Sequence, residues 1–455
     1  MPLPSAGRRR RIIGAATAYP SVLALTPVLA IITHHMWSNG PTFRGQPPSV
    51  FVAYACVLVA AGLWLVGRPA LRPPNEERLP GLGYAMLAAL AALWAVSLLL
   101  SVQHGDLFDL TALLPPVILA MLWFGPPTRG AALRGLDVWG LGIVAIAIIA
   151  MALDFIGLRT IDPQGIIRWP GEVLRLLGFD PLTSVPGEQI DACRICYGFV
   201  GRWEGPFGNV NTAGPLGATV LMLGLMRAGW RRWTLAIGGA LIVILSDSRT
   251  ALIAIAFGVL AWILCAPAIG HWRVRTWQRW LALAIAVTAA VGYVGVIDRD
   301  LNLRTEVWGS FLRSWTTSPW IGVGGSGIGQ LIEAGRLPGW ASHGHSLPID
   351  GLLRYGLGGL LLLLALFTVL VTLGLRSARR GEVLPIVLIT TAIGAALTED
   401  LLDWRYWSLA LVPLVLAGIV AARTPPPAHS DVRASADSLH SPTTGDAPIA
   451  RGGSD

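Results

Sequence analysis

GLLRYGLGGLLLLLALFTVLVTLGL, residues 351–375, holds a single charged side chain, Arg354, near its start. A helix needs roughly 20 apolar residues to cross a hydrocarbon core of about 30 Å, and this run satisfies that length. It reads as a membrane-spanning helix. Comparable apolar runs recur about a dozen times along the chain. The 455 residues are 54% hydrophobic and only 13% charged, with a mean hydropathy of +0.61, too few polar groups to cover a soluble globule. The expected fold class is an all-α polytopic membrane protein of about twelve transmembrane helices, with a large extracytoplasmic loop between spans 9 and 10.

Working outward from residues 351–375, the spans expected before it cover residues 12–33, 49–67, 81–101, 108–124, 136–158, 212–228 and 234–246. An eighth follows at once after a break at Ser246-Asp247-Ser248-Arg249-Thr250, and a ninth covers 281–297. Two more lie beyond it and end near Ala422. The organisation expected is a basic N-terminus at 1–11 and a transmembrane domain at 12–423 with outer loops at 159–211 and 298–350. A Pro/Ser/Asp-rich tail follows at 424–455, too poor in apolar residues to build a core and expected to be disordered and cytoplasmic.

Orientation is read from the charges. The net charge of +8 is carried by arginine, for the chain contains no lysine. Arg8 to Arg11 precede the first span, Arg68, Arg72 and Arg78 share one loop, Arg129 and Arg134 another, and Arg376, Arg379 and Arg380 a third. The loop between the third and fourth spans has no basic residue. This alternation follows the positive-inside rule and sets both termini in the cytoplasm. Trp230-Arg231-Arg232-Trp233 reads as a basic aromatic loop at the same interface. Arginines spent on orientation leave no case for a nucleic-acid partner.

The outer loops hold the candidate chemistry. In 159–211, Val173, Leu174, Leu176 and Leu177 fall on one side of a short amphipathic piece. Cys193 and Cys196 in the same loop are candidates for a local disulfide and lack the second pair that a zinc site needs. Cys56 and Cys265 lie within apolar runs and read as packing residues. In 298–350, Val307, Trp308, Phe311, Leu312 and Trp315 are spaced to form the apolar face of a helix, with Arg304 one turn before Trp308. A turn-rich strip from Ser318 to Gly327 holds several glycines that allow close backbone approach to a ligand, and Asp350 and Arg354 are spaced to pair across one turn. His343 and His345 both stand at the mouth of the tenth span. Trp308, Trp320 and Trp340 offer flat faces for sugars or lipid, and interfacial anchoring accounts for tryptophans at such positions too.

Five motifs occur in a telling order: Gly201-Arg202 with the Gly205-Pro206-Phe207-Gly208-Asn209-Val210-Asn211 that follows, Ser246-Asp247-Ser248-Arg249-Thr250, and Arg304-Thr305-Glu306-Val307-Trp308. Then come Ser318-Pro319-Trp320-Ile321-Gly322-Val323-Gly324, and His345 with Leu353-Arg354-Tyr355-Gly356-Leu357-Gly358-Gly359. Together they resemble the O-antigen ligase and O-antigen polymerase superfamily, by motif over residues 195–360 and by topology over the whole membrane region. That family usually has His followed by Asn, and Ser346 stands there in this chain. His343 is thus an alternative, although the distance from His345 to Gly356 and Gly359 matches the family's spacing better.

The resemblance implies a glycosyltransferase that moves a glycan from a polyprenyl diphosphate carrier to an acceptor hydroxyl at the outer face of the cytoplasmic (inner) membrane, in cell-surface polysaccharide biosynthesis. It implies no nucleotide sugar, cofactor or essential metal. The implied partners are a polyprenyl-diphosphate-linked glycan donor, a glycan or lipid acceptor and membrane lipid. Arg202, Arg249 and Arg304 become candidates for a diphosphate clamp, because guanidinium groups bind phosphate oxygens bidentately and stay charged. Arg249, Arg304 and His345 become the catalytic candidates, the arginines stabilising the leaving group and His345 activating the acceptor hydroxyl. Ligase and polymerase share these motifs. A transporter or lipid-carrier flippase of about twelve spans is the competing class, and it would bury its charges at mid-membrane around paired repeats.

Overall fold

In the computed structural model, residues 6–36, 48–67, 79–103, 114–155, 205–207, 210–246, 248–265, 301–339, 344–400 and 408–425 are described. Among them all regular structure is helical. The helices are α1 (Ala6–Met36), α2 (Pro48–Gly67), α3 (Gly81–Gln103), α4 (Leu114–Phe124) and α5 (Arg129–Phe155). After a short 3-10 turn at Gly205–Phe207 come α6 (Val210–Leu225), α7 (Trp230–Ser246), α8 (Arg249–Cys265), α9 (Leu301–Trp315) and α10 (Gly324–Glu333). The last are α11 (Leu347–Arg379), α12 (Leu384–Ala396) and α13 (Leu411–Ala422).

Among the described residues, four helical stretches are long and apolar enough to cross a membrane, within α1, α3, α5 and α11, and five shorter helices are apolar as well. The outside of the bundle agrees with a lipid surrounding. Leu58, Leu99, Phe124, Ile149, Ile237 and Leu361 are all more than half exposed, a pattern that would be a liability in water. α1 packs on α2 and α5, α6 on α7 and α8, α8 on α12, and α11 on α3 and α12. Small residues set the closest of these approaches. A methyl group added at Gly217 would meet the Gly239 carbonyl at 3.0 Å, so α6 and α7 touch backbone to backbone.

One end of the bundle is tied by arginines. Arg129 pairs with Glu382, the Arg380 Nη1 donates to the Thr424 carbonyl at 2.6 Å, and the Arg423 Nη2 donates to the Pro126 carbonyl at 3.2 Å. The start of α5, the end of α11, the start of α12 and the end of α13 therefore meet there.

Within residues 301–339 and 344–355 a lobe with its own small core stands beside the bundle. Val307 and Phe311 of α9, Ile328 and Leu331 of α10, Leu337 and Leu353 build a small core distinct from that of the bundle. The inward face of α9 differs from the one expected. Val307, Ser310, Phe311 and Ser314 point inward, whereas Leu312 is 40% exposed. Leu312 sits one residue past Phe311, about 100° around the helix from it, so a face centred on Phe311 turns Leu312 out.

Three further expectations change. Trp230-Arg231-Arg232-Trp233 is the first turn of α7, and the turn joining it to α6 is made at Gly229. The single long span at 351–375 is part of a helix that begins at Leu347 and breaks at Gly356. The close approach at Gly322 is to the chain's own backbone, described below. The ninth span, residues 159–204 with their amphipathic piece and cysteines, and the tail beyond Pro425 lie outside the described residues.

Candidate functional site

The lobe and the bundle are joined by a crossing of two glycines. Gly356 has φ 65° and ψ −169°, which no helix accommodates, and Gly322 has φ 72°. A methyl group at Gly356 would strike the Trp320 carbonyl, and one at Gly322 would strike Arg354 and the Gly356 nitrogen. The helical bonds lost at the break are remade across the crossing. The Leu353 carbonyl accepts from Val323 N at 2.9 Å, Leu357 N donates to the Pro319 carbonyl at 2.9 Å, and Gly358 N to the Trp320 carbonyl at 3.2 Å. The Trp315 indole also donates to the Pro319 carbonyl, at 2.9 Å. Trp320 and Ile321 are left exposed at the tip of this strip.

His345 immediately precedes α11, with Ser346 as the cap residue. It is the one non-glycine residue with positive φ, 46°, among the described residues. Such a backbone costs on the order of 1 kcal/mol or more and persists only where the surroundings hold it. Here they hold the preceding glycine from both sides. Gly344 N donates to Asp350 Oδ1 at 2.9 Å, and the Trp308 indole donates to the Gly344 carbonyl at 2.8 Å. The Phe311 ring stands 3.3 Å from where a Gly344 side chain would begin. Asp350 is buried and pairs with Arg354 one turn on, the pair expected from their spacing.

Held this way, the imidazole of His345 lies with Nδ1 3.4 Å from Oε2 of Glu399. Glu399 follows α12 and is only 3% exposed. It is the functional candidate that sequence reading missed. The signal was present, because Glu399, Asp400, Asp403 and Arg405 interrupt an otherwise apolar stretch. A carboxylate facing Nδ1 favours the tautomer with the proton there.

Arg249 is the first residue of α8, three positions after the last residue of α7. The antiparallel packing of α8 on α12 fixes its level. A methyl group at Gly258 would meet Thr391, and one at Gly394 would meet Ala254 Cα at 3.1 Å. The same register carried to the end of α8 brings Arg249 to the level of Glu399 and Asp400. Ser248, just before it, is buried against Gly214 of α6, and its hydroxyl makes no hydrogen bond among the described residues. Gly214 is required there, since its side chain would displace Ser248.

The structure therefore sets His345 against Glu399, brings Arg249 to the same level of the α8–α12 pair, and fixes Trp308 on the backbone beside His345. Trp308 is half-buried and its indole N–H is committed to Gly344, which leaves it a ring face as its means of touching a ligand. Trp320 stands exposed at the strip beside the break in α11. Arg304 falls in the first turn of α9, one turn before Trp308, and its side chain lies outside the described set. Arg202, Trp340, His343, Cys193 and Cys196 also lie outside it. No group of three or more metal-ligating side chains occurs among the described residues. No family model matches the chain, and no curated protein matches it either.

Proposed function

We propose that the protein is a membrane glycosyltransferase of the O-antigen ligase kind, moving a glycan from a polyprenyl diphosphate to an acceptor hydroxyl. The observation that carries this reading is the treatment of His345. It sits in a strained backbone conformation, its preceding peptide is clamped by Asp350 and Trp308, and its ring is set against the buried Glu399. Strain maintained by such a surrounding is characteristic of functional sites.

In the reaction, the acceptor oxygen forms a bond to the anomeric carbon while the bond from that carbon to the diphosphate oxygen breaks. The electron pair leaves with the polyprenyl diphosphate. The acceptor's proton passes to Nε2 of His345, and Glu399 offsets the charge that the ring acquires. Attack from the face opposite the leaving group inverts the anomeric configuration.

The diphosphate would lie at the start of α8. Three features there suit an anion: the positive end of the helix, the guanidinium of Arg249 and the spare hydroxyl of Ser248. Arg202 and Arg304 complete the clamp in this reading. The proposed topology has twelve spans, both termini and the arginine-rich end in the cytoplasm, and the lobe at 301–355 outside. A polymerase of the same superfamily would use the same groups.

The test is His345→Ala in a strain lacking the wild-type gene, with surface glycan and its lipid-linked precursor measured together. Precursor accumulation and loss of surface glycan at normal protein level are expected. Unchanged glycan would sink the role of His345. Chain length in the null strain separates the two activities: single repeat units on the carrier mark a polymerase, long chains a ligase.

A further inference from the structure

At the arginine-rich end, α7 opens on Trp230-Arg231-Arg232-Trp233, all four exposed, with each indole 63% exposed. Arg231 stacks over the Trp230 ring at 5.8 Å and Arg232 over the Trp233 ring at 5.6 Å. Beneath them lies Asp137 of α5, buried, with both carboxylate oxygens engaged. Arg227 Nε donates to one at 2.6 Å and Arg231 Nη1 to the other at 2.9 Å. Arg227 Nη2 donates further to the Leu133 carbonyl at 2.9 Å. Arg134, exposed, precedes Asp137 by three residues on α5 and so shares its face.

Asp137 is the sole acidic residue at this end of α5, α6 and α7, so four guanidiniums stand against one carboxylate. From this corner an exposed apolar stripe runs along α7 through Trp233, Ile237, Leu241 and Ile244, at helical spacing on one face. A surplus of positive charge at one end of an apolar track matches an amphiphile with an anionic head.

Arginine and tryptophan at a membrane interface serve as general anchors, and an anchor needs its guanidinium only to reach water. These guanidiniums are held instead. Asp137 fixes Arg231, an indole face supports Arg232, and fixed donors lose less freedom when a ligand binds. We propose that this corner is a binding site for an anionic glycerophospholipid. Its phosphodiester lies among Arg134, Arg231 and Arg232, and an acyl chain follows the stripe of Trp233, Ile237, Leu241 and Ile244. The site is distinct from the transferase centre and does not depend on it.

The experiment uses the purified full-length protein exchanged into equimolar phosphatidylglycerol and phosphatidylcholine, with retained lipids counted by native mass spectrometry. The wild type retains phosphatidylglycerol in preference. Arg232→Gln lowers that preference about fivefold, the factor one arginine contributes near an anionic surface, and Arg134→Gln lowers it similarly. Arg336→Gln, which removes an exposed arginine of the lobe, leaves it intact. Equal retention of the two lipids by the wild type overturns the proposal. So does an undiminished preference in both Arg232→Gln and Arg134→Gln, or an equal loss in Arg336→Gln, which would reduce the effect to net charge.

Discussion

At the scale of single residues, the site turns on two buried carboxylates with different tasks. Asp350 holds a backbone: its Oδ1 accepts from Gly344 N at 2.9 Å while its other oxygen pairs with Arg354. Asp350→Ala leaves Arg354 without this partner and the strained His345 without its clamp, so a loss of about 3–5 kcal/mol is expected, read as a lowered melting temperature in detergent. Asp350→Asn keeps an acceptor for Gly344 N and should recover part of it. Glu399 faces a ring instead. Glu399→Gln preserves the shape and removes the charge that offsets the imidazolium in the proposed reaction, so on that reading kcat for glycan transfer should fall about 10²-fold or more with KM little changed. An equal rise in KM with kcat intact would assign Glu399 to binding. The sequence made His345 visible through its position at the mouth of a span and Arg249 through a charge at a helix break. Glu399 stayed hidden because 54 residues separate it from His345, and periodicity says nothing about pairs so far apart.

At the scale of elements, the break in α11 is the decisive device. A continuous helix from Leu347 to Arg379 would carry the residues before Gly356 straight on from the bundle, whereas the crossing with Gly322 redirects them onto the strip at residues 319–323. Gly356→Ala must place a methyl group against the Trp320 backbone at a φ that disfavours it, and should cost at least about 1–3 kcal/mol. Gly322→Ala damages the same crossing from the other side. The double variant should therefore be less destabilised than the sum of the single ones, which melting curves of the three proteins would measure. Additive losses would mean that the two glycines act separately. The helices themselves were legible, because apolar runs and loop arginines mark them. The break was not, since a glycine within an apolar run is compatible with an unbroken span and only its φ and its neighbours reveal otherwise.

For the whole molecule, the sites sit at opposite ends of the bundle. α7 begins at the arginine-rich corner and ends shortly before Arg249, and α12 starts just after Glu382 at that corner and ends just before Glu399. The proposed topology then predicts opposite labelling for two exposed positions. A cysteine at Ala334 in the lobe should react with an impermeant thiol reagent on intact cells, and one at Ala228 between α6 and α7 only after the membrane is opened. Reaction of both from outside would refute the orientation. The sequence by itself determined the membrane class, the helical fold and the clustering of arginine in short loops, because hydropathy and charge act residue by residue and need no partners. Only the tertiary structure decided that His345 is strained, that Glu399 faces it and that Arg249 stands at the same level. Those facts depend on contacts between segments far apart in the chain, and on a helix broken where two glycines let backbones cross.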